Sequence, residues 1–132
     1  MKIIVDKIFA PPGHSISRGE LKAILSVVPA SWKDGLKEAR LVNGSRASLA
    51  WLVGGRLVIN SRGRKKGDVV IEILMQLAKN FLGWRRGLDR LTHADRVKLE
   101  AMAGPYLPEA LEAMEKNVGV SSGVVEMKFR PW

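Results

Sequence analysis

Apolar and polar positions alternate with two different periods along this chain, and glycine and proline mark most of the changes between them. Ile3 to Phe9 predicts a short strand that Pro11-Pro12-Gly13 ends. Ser17-Arg18-Gly19-Glu20 has capping-box spacing. In such a box the serine hydroxyl accepts from the Glu20 amide, and the Glu20 carboxylate returns to the serine amide. Leu21, Ile24, Leu25 and Val28 follow at helical spacing up to Pro29, and Trp32 and Leu36 suit a further short helical turn.

The middle of the chain predicts three strands. Ala39 to Val42 ends at Asn43-Gly44, Leu49 to Val53 ends at Gly54-Gly55, and Leu57 to Asn60 follows. Both dipeptides are two-residue hairpin signals, so the pattern predicts an antiparallel three-stranded meander. In the second strand Leu49, Trp51 and Val53 share one face and Ala50 and Leu52 the other. Neither face is polar, which predicts a central strand covered on both sides.

Asp68 is the expected N-cap of a helix that runs to about Leu82, with Gly83 just beyond. Glu72, Gln76, Lys79 and Asn80 are its only polar residues and form one narrow stripe. A helix so apolar around its circumference belongs at the centre of a core. Thr92 with Asp95 predicts a capped helix through Val97, Leu99 and Met102 to Gly104. Pro108 opens a last helix through Leu111, Met114 and Val118, closed by Gly119, and the alternation from Val125 to Arg130 predicts a terminal strand. The sum is an α+β fold in a single domain over residues 1–132. A small, mostly antiparallel sheet, made of the meander plus terminal strands, packs on one central apolar helix with several shorter helices around it.

Composition narrows the function classes. With 132 residues and 46% hydrophobic content the chain is long enough for its own core, since a domain of this size buries roughly two-thirds of its unfolded surface. It has no cysteine, which excludes disulfides, iron–sulfur ligation and a thiol nucleophile. Asp6 interrupts the N-terminal apolar run too early for a secretory signal, and no run reaches the ~18 apolar residues of a membrane span. A soluble cytoplasmic protein without a membrane partner is the expectation.

Charge changes the picture more. The net charge is +9. Residues 40–90 carry eleven Lys and Arg against three acids, a net of +8, whereas the flanking segments nearly balance. Such a field favours an anionic partner, nucleic acid or an acidic protein surface, although a basic solubility surface would look the same. Arg62, Arg64, Lys65 and Lys66 precede the central helix; Arg85 and Arg86 follow it beside Trp84, with Arg90 close behind. A helix of about 15 residues separates the clusters by ~22 Å, which suits an extended polyanion better than one compact ligand. Trp84 reads first as a lid on the core, with base stacking the alternative.

Catalytic motifs are lacking. His14 and His93 stand 79 residues apart, each without a second histidine at ligand spacing. Ser45 and Ser48 suit turn chemistry. Gly63-Arg64-Lys65-Lys66-Gly67-Asp68 lacks the spacing and the Lys-Ser/Thr of a Walker A loop. Asp68 and Glu72 lie one helical turn apart, where capping and the helix dipole account for both. No metal, cofactor or catalytic residue is expected.

The order of strands, loop, long apolar helix and further helices over residues 38–83 resembles the minimal zincin metallopeptidase-like fold. The family's His-Glu-x-x-His motif would fall on Ile71-Glu72-Ile73-Leu74-Met75, where only Glu72 matches. The resemblance implies a zincin-like scaffold without zinc or peptidase activity, because Glu72 has no metal-bound water to activate. Two functions follow: a non-catalytic basic module for an anionic partner, nucleic acid foremost, with Arg62, Arg64, Lys65, Lys66, Arg85 and Arg86 as contacts; or a metal-free zincin-like pseudoenzyme that works through protein–protein contacts such as strand addition at a sheet edge.

Overall fold

Gly54 and Gly55 take left-handed backbone conformations, with φ of 55° and 77°, the pair of positive values that a type I′ turn needs. They fold β3 (Ala50–Val53) back on β4 (Arg56–Ile59) as an antiparallel hairpin with Trp51 opposite Val58. The computed structural model describes residues 1–44, 49–85 and 87–125, the stretch 117–125 by its backbone alone. It sets this hairpin beside β2 (Glu38–Leu41) and β1 (Lys2–Val5) in a four-stranded sheet of order β1-β2-β4-β3. The β1–β2 and β2–β4 pairs are parallel.

The molecule is α+β, but the mostly antiparallel meander expected from the sequence is corrected. The sheet is mixed, two of its three pairings are parallel, and β3 is an edge strand where a central one was expected. Asn43 is the reason. A type I′ turn needs positive φ at both central residues, yet no described non-glycine residue has one and Gly44 is not among the left-handed glycines. Instead the Asn43 carbonyl accepts from Arg62 Nη1 at 2.7 Å. The chain leaves β2 without a hairpin and re-enters the sheet beyond β4. The first strand is shorter than expected: it ends at Val5, and Phe9 is 91% exposed.

Helix α1 (Arg18–Val27) has the full capping box, with Ser17 Oγ accepting from the Glu20 amide at 3.1 Å and Glu20 Oε1 from the Ser17 amide at 2.9 Å. A 3-10 turn at Ala30–Lys33 follows. Helix α2 spans Lys66–Leu82 and ends at Gly83, whose φ of 73° lets its amide reach the Asn80 and Lys79 carbonyls. Its N-cap is Lys65, not Asp68, because a turn closed by the Arg64 amide on the Ser61 carbonyl starts the helix early. Asp68 stands instead in the first turn, where its charge favours the helix dipole. Helix α3 (His93–Ala103) has the expected Thr92/Asp95 box.

Helix α4 (Leu107–Val125) runs through Gly119 and, at 19 residues, exceeds the 17 of α2. One interior glycine costs a helix only about 1 kcal/mol, too little to end it. The expected closure at Gly119 and the expected rank of α2 as the long helix are therefore corrected. Of the strand expected over 125–130, Val125 belongs to α4 and the rest lies outside the described residues.

The inner sheet face contributes Ala39, Leu41, Leu57 and Ile59, all at 0% exposure, to one core with Ile73, Leu74 and Leu77 of α2, Leu21 and Ile24 of α1, Leu99 of α3 and Met114 of α4. The burial of α2 on most sides thus follows its composition. Among the described residues no helix is long and apolar enough to cross a membrane.

Candidate anion-binding site

The structure divides the six expected contact residues by what their side chains already hold. Arg62 donates to three carbonyls: Nε to Pro12 at 2.9 Å, Nη1 to Asn43 at 2.7 Å and Nη2 to Ala10 at 3.0 Å. The planar fork of a guanidinium suits this task. Arg62 staples the β1–α1 loop to the segment that follows β2. Lys66, on the first turn of α2, pairs with Glu20 at 2.7 Å. Glu20 is 4% exposed, so one carboxylate serves the α1 cap with one oxygen and the α2 lysine with the other. Arg64 is half-buried and near enough to Glu72 to act on its charge. Lys65, the N-cap, is exposed. Arg86, like Ser45 and Ser48, lies outside the described residues.

Arg85 is exposed at the far end of α2, about 25 Å from Lys66 by helix length. It lines a groove of about 340 Å³ with Trp84, Leu91 and Asp95. Trp84 packs on the core edge, and Lys98 of α3 holds its ammonium 5.6 Å from the ring centre, within the range of a cation–π contact. Trp84 is a half-buried lid on the core edge. Lys98 is exposed, and so is Arg90, which follows Trp84 in the chain. Sequence reasoning missed Lys98, since the contact brings together residues 14 positions apart on different elements.

Sequence reasoning also missed what the polar stripe of α2 does. Gln76 is fully buried and its Nε2 donates to the Ala50 carbonyl at 2.8 Å. The Asn60 amide bonds the Leu49 carbonyl, so antiparallel alternation turns the Ala50 carbonyl to the outer edge of β3. Gln76 caps it there. At the opposite edge Arg18 Nη1 caps the Ile3 carbonyl. Each outer strand therefore has an outward carbonyl already occupied, a device that discourages strand addition.

Of the residues in register with the zincin motif, Ile73, Leu74 and Met75 are buried in the core and Ile71 is half-buried. Glu72 is half-buried, 3.9 Å from Arg96 of α3. Burial pushes its carboxyl up from the ordinary glutamate range, Asp68 and Glu100 add to this, and Arg96 and Arg64 oppose it. An acid raised in the folded state stabilises the fold most while protonated, and that stability is lost as pH climbs through the raised value. Glu72→Gln, which stays neutral, should match the parent below about pH 4, where the reference carboxyl is protonated, and be the more stable at pH 7. Urea melts at the two pH values check this; a variant less stable at pH 7 would show that the Arg96 pair outweighs burial.

His14 donates through Nε2 to the Asp6 carbonyl at 2.7 Å, and His93 is exposed at the start of α3. Among the described residues no three His, Asp or Glu side chains converge as metal ligands. No family model, curated protein or solved structure matches the chain.

Proposed function

We propose that this chain is a non-catalytic binding module for nucleic acid, contacted on the side where α2 ends. The observation that carries it is the placing of exposed Arg85 and Lys98 against Trp84, with exposed Arg90 following in the chain. Cations that neutralise phosphates supply affinity without sequence preference, and an aromatic face adds stacking with any base. Arg62 and Lys66 serve the fold first, which shifts the expected contacts away from the N-terminal end of α2. Lys65 remains as an outlying contact for a strand long enough to reach it.

A metal-free zincin-like scaffold that works by strand addition has less support, because three of the aligned positions, Ile73, Leu74 and Met75, lie in the core and an outward carbonyl at each sheet edge is occupied. Fluorescence anisotropy with labelled oligonucleotides separates the two. At 0.1 M salt the double variant Arg90→Ala/Lys98→Ala should bind about 25-fold more weakly than the parent, since each lost phosphate contact removes roughly 0.7 log units per log unit of salt. Lys66→Gln should change affinity little. Equal affinities for parent and double variant would rule out this surface.

A further inference from the structure

Beyond the Trp84–Arg85 ridge lies a second hollow, of about 380 Å³, within the range of small-ligand sites. Three segments wall it: Asp34 to Leu36 after the 3-10 turn, Leu52 to Gly55 at the hairpin tip, and the end of α2 from Lys79 to Arg85. Asn80 Nδ2 ties the first segment to α2, donating to the Trp32 carbonyl at 2.9 Å and the Asp34 carbonyl at 3.0 Å. The walls are thus fixed to one another.

The chemistry of the lining is specific. Gly35, Gly54, Gly55 and Gly83 all line it and all have positive φ, from 55° to 78°. These conformations favour glycine, and the missing Cβ leaves main chain bare at the wall. The hairpin closes on the Val53–Arg56 pair, so the Gly54 and Gly55 amides take no part in the ladder. Lys79 is 2% exposed, and Arg85 stands exposed at the same end of α2. Among the described lining residues Asp34 is the single acid, against Lys79 and Arg85. The carbonyls at the helix end would repel an anion, but those of Lys79 and Asn80 already accept from Gly83, and Lys79 also from Trp84. Leu36, Leu52 and Trp84 add an apolar side.

We infer that this cleft accepts one nucleotide unit of a bound strand, with the phosphate on Arg85 and the bare glycine main chain and the base against Trp84 and Leu52. The inference rests on the nucleic-acid reading above and gives it a defined pocket. Proton–nitrogen correlation spectra of the labelled full chain test it, titrated with a nucleoside 5′-monophosphate, the matching nucleoside and a short single-stranded oligonucleotide. The monophosphate and the oligonucleotide should both move the amides of Gly35, Gly54, Gly55 and Gly83, and the nucleoside should bind at least about tenfold more weakly. Arg85→Ala should weaken the monophosphate about tenfold. Gly54→Asn, a residue that tolerates positive φ, should weaken it with no change of charge, while the spectrum reports that the fold persists. Glycine amides that stay still, or equal binding of nucleoside and monophosphate, overturn the cleft. If the oligonucleotide still binds by anisotropy in that case, the nucleic-acid reading stands without it; if neither ligand binds, both fall.

Discussion

Leu57→Ala should lower the stability of the fold by about 3–5 kcal/mol, and Leu52→Ala by only about 1–2 kcal/mol. The two leucines face each other across the hairpin, so the difference comes from strand order alone. Leu57 sits in β4, with β2 on one side, β3 on the other and α2 in front, at 0% exposure. Truncating it leaves a cavity that tightly packed neighbours cannot fill. Leu52 sits on the edge strand, half-buried at the rim of the glycine-walled hollow. There water or a small shift can replace part of what is lost. Urea denaturation of the two variants measures the gap. The reverse ranking would mean that β3 is central after all, as the run of apolar residues on both its faces suggests.

Arg62→Ala should cost about 2–3 kcal/mol, and Arg62→Lys should recover less than half of it. Three carbonyls from two loops lose a charged donor together, and hydrogen bonds to charged groups are worth about 1.5–3 kcal/mol each when well shielded. These are partly exposed, so the sum stays below three times that figure. A lysine offers a point charge where the site uses a planar fork. The folded variant should keep its affinity for an oligonucleotide within about fivefold of the parent, the effect of one phosphate contact. Thermal melts and anisotropy on the same preparation separate the two roles. A variant of unchanged stability that loses tenfold or more in affinity would return Arg62 to the binding surface.

Those two residues also mark where sequence ceases to be readable. The Ser17/Glu20 and Thr92/Asp95 boxes, the Gly54–Gly55 turn and the glycine after Leu82 are local devices, and each occurs where the pattern places it. Strand order is not local. It turns on the backbone of Asn43, whose carbonyl is held by a side chain 19 residues later, and no dipeptide rule contains that bond. Charge has the same limit. Arg62, Lys66 and Arg85 look alike in a count of cations, yet three carbonyls hold the first, a buried glutamate the second, and the third stands exposed. Gln76 and Lys79 lie on the narrow polar stripe of α2, whose sequence gives no task to either; one caps an edge strand and the other lines a cleft. What could be read from the sequence was that the basic excess brackets one apolar helix. Which end of that helix faces a partner depends on long-range hydrogen bonds.

The binding claim itself is tested most directly by a salt titration. Anisotropy of a labelled single-stranded oligonucleotide with the intact chain, from about 50 to 300 mM salt, gives log K against log salt as a line. Each single-strand phosphate neutralised contributes a slope of about −0.7, so Arg85, Arg90 and Lys98 together lead to a slope of about −2. An oligonucleotide that fails to bind at 50 mM, or that binds with an affinity indifferent to salt, would contradict the proposal.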